Sequence, residues 1–119
     1  MFSLFEALLQ SKLGWEKPFE QLDAYLGWHA KPELATTIHD YKLAINVLKH
    51  GEGWSHKELL GRASTLEFKV REVHDAFFEE GDVSEVDILI DVDDAFVRRC
   101  AALIDEARIL ISETEQIWL

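Results

Sequence analysis

The sequence predicts a mainly α protein, a single-domain bundle of about five helices over residues 1–119, in which a small two-stranded antiparallel hairpin is one of two readings of a central stretch. Three observations carry this expectation. Apolar residues recur at intervals of three and four in several stretches, the spacing of one helix face. Glycines 14, 27, 51 and 61 stand where those stretches stop. The 119 residues are 48% hydrophobic and 29% charged, with four Trp and seven Phe, enough for one core and too few for two.

The elements follow in order. Ser3 and Glu6 fit a capping box, and Leu4, Phe5, Leu8, Leu9 and Leu13 keep helical spacing up to Gly14. Pro18 suits a first helical position, and Phe19, Leu22 and Leu26 describe a short second helix stopped by Gly27. Trp28 and His29 then fall in a connection. Pro32 opens the most regular helix, with Leu34, Ile38, Tyr41, Ile45 and Leu48 as its stripe and Gly51 as its end. Lys49 and His50 occupy its last turn, where positive charge offsets the negative end of the helix dipole. Next, "GWSHKELL" reads as a fourth start, with Ser55 as N-cap, Glu58 three residues on, and Trp54 stapled against Leu59.

Between residues 63 and 92 the period changes. Leu66, Phe68 and Val70 alternate with charged residues, and Val86, Ile88, Ile90 and Val92 recur at every second position with Asp87 and Asp91 among them, so residues 66–70 are expected to pair with 86–90. The rival is a continuous helix over 64–80, because Leu66, Val70, Val73 and Phe77 also fit helical spacing. The final helix is capped by Asp93 or Asp94, buries Val97, Cys100, Ala101, Ile104, Ala107 and Ile111, and runs to about Ser112.

The net charge of −11 is concentrated. Residues 72–97 hold ten carboxylates and no Lys or Arg, whereas the rest holds thirteen acids against twelve bases, so a nearly neutral scaffold carries one acidic segment. Phosphate backbones are repelled by such a face, which argues against direct nucleic-acid binding. The amino terminus lacks a basic region followed by a long apolar run, and no stretch has the length of a membrane span, so a cytoplasmic protein is expected. The single Cys100 excludes an internal disulfide and a multi-cysteine zinc site. It lies on an apolar stripe, the place of a small buried hydrophobe.

Crowded carboxylates suggest hard cations. However, counting from Asp91 as the first ligand of a calcium loop, the sixth position is Phe96 and the twelfth is Ala102, where such a loop needs Gly and Glu. A metal-binding regulator is therefore an alternative without a motif, and no metal ligand or cofactor is assigned. Asp91, Asp93 and Asp94 are explained locally, as carboxylates at the positive end of a helix. Glu79, Glu80, Asp82, Glu85 and Asp87 have no such explanation, and their mutual repulsion costs stability unless a cation or a basic surface relieves it.

The stretch "INVLKHGEGWS" has Asn46, His50 and Gly51 at the spacing of the HEPN-type ribonuclease motif, in which an Arg precedes the polar residue and the His follows five positions after the Arg. Over these few residues the chain resembles that family. The resemblance implies a helical scaffold and an RNA site formed by the Arg and His together; here the Arg position is Ile45, so it implies an inactive relative. Read locally, Asn46 and His50 lie one turn apart near a helix end, where His50 is a terminal cation or a partner of Asn46.

The function expected from these residues is binding rather than catalysis, and no catalytic residue is assigned. An acidic helical protein of the immunity-protein or antitoxin type would cover a basic partner such as a toxin nuclease. Its contacts are expected at Glu79, Glu80, Asp82, Glu85, Asp87 and Asp91, with Phe78 as an apolar anchor among them. Self-association is left open.

Overall fold

The computed structural model describes residues 2–72 and 89–119. Among them are five α-helices: α1 (Phe2–Leu13), α2 (Pro18–Trp28), α3 (Pro32–His50), α4 (Trp54–Gly61) and α5 (Asp94–Glu115), with one 3-10 turn at Ala63–Thr65. The mainly helical class is therefore correct. In place of a hairpin with ordered strands, the described residues show a single antiparallel bridge, Val70 with Ile90; it joins the two expected segments, but antiparallel pairing of 66–70 with 86–90 would set Val70 opposite Val86, so the register is shifted by four residues. The second half of the rival helix over 64–80 lies outside the described residues, but its first half is excluded: residues 66–72 are not helical.

Helix ends show where local chemistry was readable. Gly14 has φ +68 and its N–H bonds to Gln10 O at 3.0 Å; Gly51 has φ +73 and its N–H bonds to Val47 O at 2.7 Å. Both are left-handed stops of the expected kind. α2 runs through Gly27 to Trp28 and ends instead on Ala30, which takes φ 60 while Lys31 N–H bonds to Leu26 O at 2.7 Å and Ala30 N–H to Gly27 O at 3.3 Å. That is a complete Schellman ending built without glycine. α5 likewise passes Ser112 and ends at Glu115, with Gln116 at φ 55 and Ile117 N–H on Ser112 O at 3.2 Å.

Two expected caps are corrected. Ser3 lies inside α1, and Ser55 lies in the first turn of α4, whose N-cap is Gly53 with no side-chain cap bond. Trp54 is 88% exposed and so does not staple Leu59; its ring carries Lys57 Nζ at 5.7 Å. At α2 the start is locked by a residue not singled out in the sequence, Gln21, whose side-chain oxygen accepts from Lys17 N–H at 3.0 Å.

The chain falls into two compact units, Met1–His39 with Asp94–Leu119, and Asp40–Asp93. α3 gives residues 32–39 to the first and 40–50 to the second. In the first unit, Phe2, Phe5 and Leu9 of α1, Leu22 and Leu26 of α2, and Phe96, Cys100, Leu103, Ala107 and Ile111 of α5 are buried. Phe19 meets Phe2 and Phe5 at ring separations of 5.8 and 6.4 Å, tying α2 to α1. The α5 stripe is turned from the expected one: Val97 is exposed and Ile104 half-buried, whereas Phe96 and Leu103 are inside. In the second unit the buried residues are Asp40, Tyr41, Leu43, Ala44, Val47, His56, Leu59, Phe68, Leu89 and Ile90. Here too α3 differs from expectation, with Ala44 and Val47 buried in place of Ile45 and Leu48.

Candidate functional site

The acidic segment is held at its base by the second unit. Asp40 lies on the buried side of α3, where a carboxylate is costly without a counter-charge. Arg62, just past the end of α4, provides it: Nη1 stands 2.6 Å from Asp40 Oδ1, an ion-pair contact outside hydrogen-bond alignment, and Nη2 stands 3.2 Å from Glu58. The next residue, Tyr41, donates its hydroxyl to Glu67 Oε1 at 3.1 Å and meets Phe68 edge-on at 4.9 Å. These contacts hold the extended chain after the 3-10 turn against α3.

His56 completes the attachment. It is buried in α4, and its Nε2 lies 2.6 Å from the carbonyl oxygen of Arg71, which requires the tautomer that places a proton on Nε2. At the next step Arg71 N–H donates to Leu89 O at 2.8 Å, and Asp91 N–H to Lys69 O at 3.1 Å. These two bonds flank Val70 and Ile90, so the pair is the closely spaced, non-hydrogen-bonded kind, with Cα atoms about 4.5 Å apart in such ladders. Glu72 and Leu89, the last described residues on either side of 73–88, therefore belong to neighbouring antiparallel backbones.

Of the expected contact residues, Asp91 is described: it follows Ile90 directly, is half-buried, and is fixed by its own N–H. Glu79, Glu80, Asp82, Glu85, Asp87 and Phe78 lie outside the described residues. Leu89, which follows the acids closely in the sequence, is buried and belongs to the base. Asp93 and Asp94 are exposed at the start of α5, as helix-start carboxylates should be. Among the described residues no group of three metal-ligating side chains could hold an ion, and no helix is long and apolar enough to cross a membrane.

The HEPN-like positions fall at the end of α3. His50 is its last residue and is exposed; Asn46 is half-buried, and its side-chain oxygen accepts from Lys42 Nζ at 3.3 Å rather than from His50. Ile45, at the position of the motif's Arg, is half-buried beside it. Cys100 is buried in α5, and burial pushes its thiol up from 9.0 to about 11, so at neutral pH it is protonated and a poor nucleophile.

Comparison with protein-family models, with curated proteins and with solved structures gave no match.

The residues that sequence reasoning missed are the polar ones at the base. Asp40, Arg62, His56 and Tyr41 do not form a local pattern, since Arg62 is 22 residues from Asp40 and the Arg71 carbonyl is 15 residues from His56. The available signal was a single polar residue, Asp40, one position before the buried Tyr41 on a helix otherwise apolar on that side.

Proposed function

We propose that this chain is a protein-binding module whose acidic segment covers a basic surface of another protein, in the manner of immunity proteins and antitoxins that mask toxin nucleases. The observation that carries the reading is the bridge between Val70 and Ile90 together with the composition it encloses. Residues 73–88 hold six carboxylates and no Lys or Arg, and both flanking chains are fixed to the same framework by Arg71, Asp91 and His56. A charge cluster tethered at both ends loses less entropy on binding than one tethered at a single end. Its field acts at a distance, and opposite potentials raise association rates toward about 10⁸–10⁹ M⁻¹s⁻¹.

Phe77 and Phe78 place large apolar side chains among the acids in the sequence, the composition of an anchor surrounded by a charged rim. Asp91 would supply a carboxylate from the fixed framework itself. The test is charge reversal at Asp82, Glu85 and Asp87 together. The association rate with a basic partner should fall at least about tenfold at low salt, while dissociation changes less. An unchanged association rate would reject the reading.

A further inference from the structure

Three of the four tryptophans stand almost wholly in solvent: Trp28 at 86%, Trp54 at 88% and Trp118 at 84%. Exposed indole is expensive to keep in water and is enriched at binding anchors. Trp54 has a partner within the chain, since Lys57 lies over its ring. Trp28 and Trp118 have no hydrogen-bond, ring or cation partner among the described residues.

Both belong to the first unit, and the structure brings their neighbours together. Tyr25 and Trp28 are three residues apart on α2, hence on adjoining positions of one face. Tyr25 donates its hydroxyl to Glu115 Oε2 at 3.1 Å, at the end of α5, and Trp118 follows three residues later. The Tyr25 ring is itself held between Trp15, at 5.7 Å, and His29, at 4.3 Å. Burial, with help from the Glu115 carboxylate, pushes the Tyr25 hydroxyl above its ordinary range, so it stays a donor to Glu115 at neutral pH.

The two indoles are not on loose chain. Trp28 is the last residue of α2, locked by the Schellman bonds at Ala30 and Lys31. Trp118 follows the turn at Gln116, in a tail whose Leu119 is buried and whose Leu119 carbonyl accepts from Arg108 Nη1 at 3.1 Å. Arg108 also holds Asp105 at 3.1 Å. Rigid presentation lowers the entropy that a partner must overcome.

We propose that the end of the first unit formed by Trp28, Tyr25, Glu115 and Trp118 is a docking surface for an arginine side chain of a partner protein. The chemistry matches on two counts. A carboxylate oriented by a tyrosine accepts the planar N–H fork of a guanidinium, and indole faces attract the same cation and stack on its plane. The local charge agrees, because the three chain segments meeting there carry Glu16, Glu113 and Glu115 against Lys17 and Lys31. The Lys57–Trp54 pair shows the same attraction already in use within the chain. The proposal uses residues outside the acidic segment and does not depend on that segment's role.

The test is titration of the full chain with a fluorescein-labelled peptide of alternating Arg and Gly, and with its Lys and Gly counterpart, at about 0.15 M salt, where long-range attraction is largely screened. The Arg peptide should bind and change the indole emission, and should bind at least about threefold tighter than the Lys peptide. Trp28→Ala, Trp118→Ala and Glu115→Gln should each weaken it by about three- to tenfold, whereas Trp54→Ala should not. Because the two indoles are exposed, their truncation leaves the thermal melting curve in place, which checks the fold. No binding by the Arg peptide, equal affinity for the Lys peptide, or indifference to the Trp28 and Trp118 changes would overturn the proposal. So would Trp28- and Trp118-dependent self-association, or transfer of the indoles to zwitterionic vesicles, since either identifies a different occupant.

Discussion

The two units are held together by different physics. The first relies on apolar interdigitation, with Phe2, Phe5 and Phe19 joining α1 to α2 and the stripe from Phe96 to Ile111 on α5. The polar contacts of Tyr25 with Glu115, and of Arg108 with Asp105 and Leu119, sit at its rim. The second is fastened by polar pairs that reach inward: Asp40 with Arg62, Tyr41 with Glu67, and His56 with the Arg71 carbonyl. The difference teaches that a chain segment with few apolar residues to bury can still be fixed if its backbone and charges find partners on neighbouring helices. In the second unit those partners converge on the strand-like chain that leads into the acidic segment.

The contrast can be broken from either side, beginning with the largest effect. Leu103→Ala removes a wholly buried side chain from α5 and should cost about 2–5 kcal/mol in denaturant unfolding, whereas Val97→Ala, at a position 48% exposed, should cost under about 0.5 kcal/mol. Arg62→Ala leaves the Asp40 carboxylate buried without its cation. The loss should be roughly 2 kcal/mol, below the 3–5 kcal/mol of a fully buried pair because the guanidinium is one-third exposed. Adding Asp40→Asn should then recover part of it, a non-additivity that a double-mutant cycle reads directly.

Cys100 gives the first unit a dependence on alkaline pH. Its thiol is raised from 9.0 to about 11 in the folded chain, so the unfolded chain releases this proton first. The contribution is fully present below pH 9 and is lost as pH rises toward 11, at a slope of up to about 1.4 kcal/mol per pH unit. Cys100→Ala should be less stable at neutral pH but flatter across that window, as measured by urea midpoints at several pH values. An identical slope in both proteins would remove burial of the thiol as its cause.

Smaller effects sharpen the account of the second unit. His56→Ala should cost about 1–2 kcal/mol, since the Arg71 carbonyl loses its donor, and amide exchange at Arg71 and Asp91 should accelerate more than at α1. Smallest and opposite in sign, Ala30→Gly should raise stability by roughly 0.5–1 kcal/mol, because it relieves a left-handed residue with a Cβ.

The pattern of what the sequence revealed follows from these forces. α1 and α3 ended where expected because Gly14 and Gly51 adopt the left-handed turn that glycine favours. α2 and α5 ran on because Ala30 and Gln116 take the same turn, held there by bonds to Leu26 and Ser112 that no residue type announces. The stripe of α5 was misplaced by one flank: Cys100, Ala107 and Ile111 belong to both candidate stripes, and periodicity alone cannot choose between Phe96 with Leu103 and Val97 with Ile104. On α3, Asp40, Leu43, Ala44 and Val47 form an equally regular face, which periodicity cannot rank above Tyr41, Ile45 and Leu48; the carboxylate in it is tolerated because Arg62 reaches it. That the segments around Val70 and Ile90 meet was legible because both showed the period of two of a strand; their register, with Val70 opposite Ile90 rather than Val86, was not. Of the expected contact residues, structure bears only on Asp91.

The central claim is that the acidic segment steers a basic partner. Its most direct test uses the wild-type chain and the Asp82→Lys, Glu85→Lys, Asp87→Lys variant as baits, followed by stopped-flow association of the captured protein between about 0.05 and 0.3 M salt. The account predicts a basic partner retained by the wild type alone, with an association rate that falls steeply as salt rises and loses that dependence in the variant. Equal capture by both baits, or a rate insensitive to both salt and charge reversal, would contradict it.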